Sequence, residues 1–446
     1  MSEAQFGRRL DSWKDIAAYL RRDERTAQRW ESERGLPVHR LPGAKRGAVY
    51  AYTSEIDAWL AGQPAPLPER ANDAQNALRG WGRKLGWGLG FGGLSALAVL
   101  AGVLLWGRPK PGPPVRVSFE GNTLVAWDAR DRRAWEVEYP NPLYKVIPYF
   151  NADLTNLARV VDVDGDHRPE VLAVIYPVTS PDHKGVSKTI LDCYSSDGRH
   201  LWRYVPQFNL RFASQDFDGP GVILASWVSH ENDGPRIWLG VEHNVWWPSY
   251  VARVDPRTGQ GTPEFVNSGA ITQINRLSTA DGSYLLVGGY NNEYETSFLA
   301  ILDIHKPQGT SPQRTLSAFH CDNCPNGTPI QYTLFPRSEH STLLNRGINF
   351  VSDIRVTGDR AVVVSSESEN GVANAIYEFS FASEIQVLAA SMSDGYWKLH
   401  RSLEQQGKIN HRVEQCPDRT KPRKLRVWSP ESGWSEVALL PNMQKN

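Results

Sequence analysis

Residues 156–174 read NLARVVDVDGDHRPEVLAV, and this stretch contains the pattern that decides the fold of most of the chain. Two short β-rich runs, residues 158–161 and 171–174, flank a turn made of Asp and Gly. A run, a turn and a second run predict an antiparallel hairpin. Related stretches begin at Arg211, Ala270 and Ile348, so we expect residues 116–446 to be built from strands.

A second hairpin pattern alternates with the first one along the chain. It begins at Leu124, Leu191, Val251, Leu299 and Leu425, and one further unit is centred on Tyr377. The alternation, at about 60 residues per unit, predicts four-stranded blades and hence a large all-β domain, a β-propeller of about five to seven blades. A pair of β-sandwich domains is the alternative. The blades resemble FG-GAP/VCBS repeats and quinoprotein-like propellers, which implies a propeller for residues 116–446.

The Asp-rich turn carries the sharpest chemical motif. Carboxylates fall at positions 1, 3, 5 and 9 of the turn, with a backbone carbonyl at position 7. The predicted metal ligands are Asp162, Asp164, Asp166, the backbone carbonyl of Arg168, and Glu170. Oxygen ligands in this arrangement suit calcium, so the sequence predicts one calcium site. The turn resembles the calcium loop of FG-GAP blades, although His167 stands where a glycine often provides a positive φ. An Asp/Gly turn without metal is the alternative.

The front of the chain differs from the rest in charge and in periodicity. Residues 1–84 hold 15 Lys/Arg and 11 Asp/Glu, whereas the whole chain has a net charge of zero. Ser12 and Asp15 form a capping pattern ahead of a short apolar stripe, and a second predicted helix runs from about Glu24 to Arg34. Two strand-like runs, a basic loop between them and a last short helix follow. This order predicts a small α+β winged helix-turn-helix domain in residues 1–62.

Residues 11–60 resemble MerR-type and excisionase-like winged helix-turn-helix domains. The resemblance implies that double-stranded DNA is a partner. The DNA-binding residues that it implies are Arg25, Thr26, Gln28 and Arg29 in the major groove, and His39, Arg40, Lys45 and Arg46 at the phosphate backbone. Charges that face only solvent are the alternative for each of these side chains. The dimerisation coiled coil of these families is missing, although a homodimer is still expected.

Residues 85–107 contain no charged side chain, and Ser95 is their only polar one apart from the two tryptophans. A helix of 23 residues is about 34 Å long, enough to cross a hydrocarbon core of about 30 Å. The run therefore predicts a single transmembrane helix, with a buried core helix as the alternative. Residues 63–84 and the Pro-rich residues 108–115 are predicted linkers, and the lipid bilayer is a predicted partner.

All four cysteines lie beyond residue 107. They are Cys193, Cys321, Cys324 and Cys416. This placement suits an oxidising compartment for the large domain and a reducing one for the front domain. Cys321 and Cys324 are predicted to form a local disulfide, and zinc binding by these two cysteines with His320 is the alternative. The pairing of the other two cysteines is left open.

Together these patterns predict a one-component transcriptional regulator that spans the bacterial inner membrane once. Its N-terminus is expected in the cytoplasm, and its propeller in the periplasm, where it would sense an unidentified ligand or protein. No H-E-x-x-H, G-x-S-x-G or Walker motif is present, so the chain is not expected to be an enzyme. A membrane-anchored propeller enzyme and an envelope scaffold are the alternatives.

Overall fold

The computed structural model describes most of the chain beyond residue 110 and parts of the front. The described residues are 9–10, 12–20, 27, 30–31, 36–40, 49–61, 110–144, 146–147, 152–153, 158–178, 188–244, 246–344, 348–368 and 370–440. The chain divides into two compact units, Met1–Leu105 and Trp106–Asn446.

The first unit contains a small sheet and two described helices. Its elements are β1 (Arg9–Leu10), α1 (Trp13–Leu20), β2 (His39–Arg40), β3 (Val49–Tyr52) and α2 (Thr53–Ala61), with the strands in the order β1-β3-β2. Ser12 caps α1, because its hydroxyl accepts a hydrogen bond from the Asp15 amide (3.1 Å) and donates one to the Asp15 carboxylate (2.7 Å). Ile16, Ala51 and Ile56 are fully buried and join these elements into one core.

The predicted winged helix-turn-helix and transmembrane fold class is corrected by the structure. The longest described helix has 12 residues and is about 18 Å long, whereas the hydrocarbon core of a membrane is about 30 Å thick. Within the described ranges, no helix is both long and apolar enough to cross a membrane. The predicted span, residues 85–107, lies outside those ranges, as does most of the predicted second helix. Strands predominate, so the supported class is mostly β with five short described helices.

The second unit begins with two antiparallel sheets and a short ribbon. The first sheet contains β4 (Pro114–Glu120), β5 (Thr123–Asp128) and β6 (Arg133–Glu138) in chain order. The ribbon pairs β7 (Val146–Ile147) with β8 (Ala152–Asp153). The second sheet contains β9 (Arg159–Val161), β10 (Glu170–Ile175), β11 (Ile190–Tyr194) and β12 (His200–Tyr204), again as neighbours in chain order.

Three further sheets follow, two of six strands and one of four. The third runs β13 (Gln207–Phe212), β14 (Gln215–Glu231), β15 (Gly234–His243), β16 (Ser249–Val254), β17 (Gly261–Asn267) and β21 (Gly309–Thr310). The fourth runs β18 (Ile271–Ser278), β19 (Ser283–Asn291), β20 (Thr296–Asp303), β22 (Gln331–Leu334), β27 (Arg423–Ser429) and β28 (Gly433–Leu439). The fifth runs β23 (Phe350–Thr357), β24 (Arg360–Ser366), β25 (Asn374–Ser380) and β26 (Gln386–Met392).

Most predicted hairpins are present, which confirms the predicted all-β character of this region. The stretches that begin at Leu124, Leu191, Val251 and Leu425 form β5–β6, β11–β12, β16–β17 and β27–β28. Consecutive strands pair because each has a short turn to the next and an apolar face to bury. Successive antiparallel sheets are typical of propeller blades, and here the chain also returns from the fifth sheet to complete the fourth, so the unit is a large, propeller-like all-β domain.

Two predicted hairpins are wrong. Residues 216–219 are not a turn but part of the long strand β14, where Asp216 lies opposite Arg211 and forms an ion pair with it (2.7 Å). The stretch from Leu299 does not return as a hairpin either, since β21 pairs in parallel with β17 and β20 pairs with β22. A long connection between β20 and β22 makes this possible.

Three short helices lie in the connections of the last two sheets. Helix α3 (Glu339–Leu343) follows β22, whereas α4 (Asp394–Gln405), a 3₁₀ turn (Val413–Gln415) and α5 (Pro417–Thr420) lie between β26 and β27. The chain thus passes through these helices before it returns to the fourth sheet. Residues distant in sequence meet there.

The close contact between β18 and β19 gives a test of the fold. A Cβ atom at Gly289 would overlap the backbone oxygen of Ala270, whereas one at Gly282 would meet only the Tyr284 hydroxyl, at 3.6 Å. We expect Gly289→Ala to destabilise the domain by about 1–3 kcal/mol, because the backbone must shift. Gly282→Ala, the control, should change stability by no more than about 0.5 kcal/mol. Urea unfolding followed by circular dichroism compares the two, and equal midpoints would contradict the pairing.

Candidate metal centres

The predicted calcium loop connects β9 to β10. One oxygen from each of Asp162, Asp164 and Asp166 can be chosen so that all three lie within 4.8 Å of one another. The loop's own amides hold these carboxylates: the amides of Gly165 and His167 donate to Asp162 Oδ1 (2.7 Å) and Oδ2 (2.9 Å). The carboxylates are therefore fixed at one end of the second sheet.

His167 and Glu170 complete the geometry of the loop. His167 adopts a φ of 65°, the left-handed conformation that a glycine usually provides at such a turn. Glu170 is buried at the start of β10, where its Oε2 accepts a hydrogen bond from the Val163 amide (3.0 Å). Burial, together with the nearby Asp164, Asp166 and Asp162, raises the pKa of Glu170, although the Val163 amide opposes that shift.

The loop also contacts the neighbouring third sheet. His230 Nε2, near the end of β14, lies 2.9 Å from the backbone oxygen of Asp162. Arg159, at the start of β9, donates to the backbone oxygen (2.9 Å) and the hydroxyl (3.0 Å) of Ser226. The loop is thus part of the contact between two consecutive sheets.

The predicted DNA-binding residues are not brought together by the described structure. Arg25, Thr26, Gln28, Arg29, Lys45 and Arg46 lie outside the described residues, and of Arg40 only the backbone, in β2, is described. His39 is used within its own unit, because its Nε2 lies 2.7 Å from Glu55 Oε2 and its ring stacks on Tyr50. Double-stranded DNA and a membrane-spanning regulator are therefore not supported as partner and function.

The cysteines fall into two groups. Cys321 and Cys324 form a disulfide with their Cα atoms 5.7 Å apart, in the connection between β21 and β22. Cys193 and Cys416 are both free and buried. Burial, the largest cause in each case, raises the pKa of the Cys416 thiol to about 12 and that of Cys193 above its usual range.

A second candidate metal centre, which the sequence did not predict, lies among the helices before β27. Ligand atoms of Glu339, His400, His411 and Cys416 all lie within 4.8 Å of one another. The two Nε2 atoms of His400 and His411 are 3.3 Å apart, and His411 Nε2 is 3.2 Å from Glu339 Oε2. Glu339 Oε2 is also 3.8 Å from His400 Nε2 and 3.9 Å from Cys416 Sγ. We call these four residues the His₂CysGlu cluster.

Three chain segments supply this cluster. Glu339 begins α3, His400 lies on α4, and His411 and Cys416 flank the 3₁₀ turn. Both helices start at a serine cap: Ser338 accepts from the Ser341 amide, and Ser393 from the Tyr396 amide. Each ligand is therefore positioned by a helix end or a tight turn rather than by a long loop.

Asp418 fixes the helices relative to one another. Its Oδ2 accepts hydrogen bonds from the Glu339 amide (3.0 Å) and the Tyr396 hydroxyl (2.6 Å), and its Oδ1 pairs with Arg423 Nη1 (2.6 Å). Arg423 is buried at the start of β27 and also donates to the Tyr377 hydroxyl and the Pro336 carbonyl. One carboxylate thus ties α3 and α4 to the fourth sheet.

Two buried histidines, His400 in the cluster and His340 beside it, have pKa values below the usual range of histidine. Burial lowers the pKa of His340 to about 4, and its ring stacks on Tyr396 with the centroids 3.8 Å apart. Burial and the neighbouring His411 lower the pKa of His400 as well. The Nδ1 atom of His400 has no hydrogen-bond partner within the described part of the chain. Neutral imidazole is the form of histidine that binds metals.

The sequence contains only a faint signal for this cluster. His400, His411 and Cys416 lie within 17 residues, but their spacing matches no common metal motif, and Glu339 lies 61 residues earlier. A search for every His and Cys in the connections between strands would have found three of the four ligands. The fourth ligand depends on the tertiary fold.

No family emerges from comparison with known proteins. No family model matches the sequence, and no curated protein does so. Similar solved structures include a mutant of the Synechocystis apocarotenoid oxygenase, 9% identical, covering 64% of this chain and 73% of that one, with a TM-score of 0.26. The Dos1 propeller is 8% identical and covers 74% of each chain, with a TM-score of 0.28. An exo-β-1,3-galactanase from Clostridium thermocellum is 9% identical, covering 61% of this chain and 59% of that one, with a TM-score of 0.27.

These likenesses are too distant to transfer a function. Two of the three similar structures are of enzymes. At such low identities and TM-scores, this does not make the present chain an enzyme. The chemistry of this protein is therefore argued from its own residues.

The Asp418–Arg423 pair gives a direct test of how the helices are held. Asp418→Ala leaves the buried Arg423 without its carboxylate and should destabilise the domain by about 3–5 kcal/mol. The control is Glu436→Ala, which breaks the exposed Lys424–Glu436 pair (2.9 Å) and should cost at most about 1 kcal/mol. Urea midpoints of the two variants measure the difference. Equal midpoints would mean that Asp418 does not organise this region.

Proposed function

We propose that the second unit is a non-catalytic binding module of the β-propeller type, in which one calcium ion bound by residues 162–170 stabilises the contact between two blades. The observation that carries the proposal is the convergence of Asp162, Asp164 and Asp166 within 4.8 Å. The amides of the loop orient these carboxylates, and their oxygens are the ligands that a hard cation prefers.

Electrostatics favours a cation at this loop. Three carboxylates this close repel one another unless a positive charge lies among them. Within the described ranges, the one basic side chain at ion-pair distance is that of His167, 3.9 Å from Asp162 Oδ2. That ring is almost fully exposed, so it neutralises little. Carboxylate and carbonyl oxygens are the ligands that calcium prefers.

The remaining predicted ligands have unequal support. The backbone carbonyl of Arg168 belongs to the same turn, whose amides already orient the Asp side chains. Glu170 uses Oε2 to accept from Val163, which leaves Oε1 as the oxygen that a cation would use. In the proposed complex, Glu170 closes the site from the buried side.

The proposed role of the ion is mechanical rather than catalytic. Asp162 is linked through its backbone oxygen to His230 on the third sheet, so fixing the loop also fixes that contact. The buried carboxylate of Asp192, on β11 of the second sheet, is likewise used in structural contacts: it is held by Arg203 (2.6 and 2.8 Å) and accepts a hydrogen bond from the Tyr139 hydroxyl (3.1 Å).

Calcium should raise the melting temperature of the full chain, and Asp164→Asn should abolish that rise. A ligand at 100 times its dissociation constant stabilises a folded protein by about 2.7 kcal/mol. Differential scanning calorimetry in excess calcium and in excess chelator measures the shift.

Asp218→Asn is the matched control, because Asp218 is exposed in a similar Asp-x-Asp-Gly sequence that forms strand β14 instead of a loop. This variant should respond to calcium as the unmodified protein does. A melting temperature of the unmodified chain that is the same in calcium and in chelator would refute the calcium site.

A further inference from the structure

The ligand atoms of the His₂CysGlu cluster are spaced like the corners of a small tetrahedron. In a tetrahedral site with zinc–nitrogen and zinc–oxygen bonds of about 2.0–2.1 Å, neighbouring ligand atoms lie about 3.3–3.4 Å apart. The His400–His411 and His411–Glu339 distances are 3.3 and 3.2 Å. The edge to the thiolate is longer, about 3.5 Å, because the zinc–sulfur bond is about 2.3 Å. The Cys416–Glu339 and His400–Glu339 distances, 3.9 and 3.8 Å, are the edges that would shorten.

Hydrogen bonding alone does not satisfy this arrangement. If His400 Nε2 carries a proton and donates a hydrogen bond to His411 Nε2, then His411 Nε2 is an acceptor without a proton of its own. It lies 3.2 Å from the Glu339 carboxylate oxygen, so two acceptors face each other. If His411 Nε2 carries the proton instead, that proton can point to only one of its two neighbours, His400 Nε2 at 3.3 Å or Glu339 Oε2 at 3.2 Å. In both cases two ring nitrogens and one carboxylate oxygen crowd a single proton.

A metal ion at the centre removes this conflict. Both Nε2 atoms then present lone pairs to the cation, and the protons move to the two Nδ1 atoms. His411 Nδ1 lies 3.5 Å from Asn410 Oδ1, a weak but correctly placed acceptor. The Glu339 carboxylate and the Cys416 thiolate supply the negative charge that a divalent cation needs.

We propose that Glu339, His400, His411 and Cys416 bind one zinc ion. Two imidazoles, one thiolate and one carboxylate form a ligand set that suits zinc and that calcium or magnesium, which prefer oxygen, would not select. The proposal does not rest on the calcium loop, whose residues lie at a different sheet.

The proposed site is closed and therefore structural. Four protein side chains fill a tetrahedral shell, which leaves no position for a substrate or a reactive water. His400 and Cys416 are fully buried, whereas Glu339 and His411 are partly exposed and mark the side from which the ion would enter. Bound zinc would join α3, α4 and the turn before α5, the segments that Asp418 also links.

Zinc content and cobalt spectra test the proposal on the full chain. The unmodified protein, dialysed in buffer with calcium, should retain about one zinc per chain by elemental analysis. Its cobalt-substituted form should show a thiolate-to-cobalt charge-transfer band and the intense visible bands of tetrahedral cobalt. Cys416→Ser should remove the charge-transfer band and weaken zinc binding at least about 10–100-fold, the loss that even an outer-shell partner causes.

Cys193→Ser is the matched control, because Cys193 is the other free, buried cysteine of the described chain. This variant should retain both the zinc and the cobalt band. Glu339→Gln, at a partly exposed ligand, serves as the second test variant if Cys416→Ser does not fold by circular dichroism. It should keep the fold and lose zinc affinity at least tenfold.

Any one of four results would overturn the proposal. The first is an unmodified, folded protein that takes up neither zinc nor cobalt. The second is a charge-transfer band that persists in Cys416→Ser, and the third is a zinc affinity that Glu339→Gln leaves unchanged. Loss of zinc binding in Cys193→Ser but not in Cys416→Ser would place the metal elsewhere and would equally refute it.

Discussion

The buried guanidinium of Arg423 is the constraint on which the last two sheets and their helices depend. A charge in a protein interior must be paired and fully hydrogen-bonded, and Arg423 finds its partners in Asp418, Tyr377 and the Pro336 carbonyl. These partners come from α5, from β25 of the fifth sheet and from the chain just before α3. Through these hydrogen bonds, the Arg423 side chain joins two sheets and sets the position of α3.

The two proposed metal sites lie at different sheets, and in each the pairing of charged or polar groups would again hold the structure together. In each of them, several negative or lone-pair groups lie within 4.8 Å of one another. At the loop before β10 those groups are carboxylates, and at the His₂CysGlu cluster they are imidazoles, a carboxylate and a thiol. The ligand chemistry therefore favours a hard cation at the first and zinc at the second.

The sequence predicted the strands well because each hairpin depends on residues close together in the chain. The stretch at Leu425 became β27–β28, and the Asp162 turn lies between β9 and β10 as expected. Prediction failed where context decides. Asp216 and Asp218 look like turn residues, yet the partner strand β13 holds them extended.

At the front of the chain, the sequence does not reveal which polar side chains already have partners within their own unit. His39, predicted to contact the phosphate backbone, lies on strand β2 and is engaged by Glu55. The His₂CysGlu cluster escaped prediction for another reason, since Glu339 and Cys416 are 77 residues apart and all strands of the fifth sheet lie between them in the chain.

Zinc K-edge X-ray absorption of the full chain with one equivalent of zinc is the most direct test of the proposed zinc site. We expect a four-coordinate shell with one sulfur at about 2.3 Å and nitrogen or oxygen at about 2.0–2.1 Å. A shell without sulfur, or one with six light atoms, would contradict it.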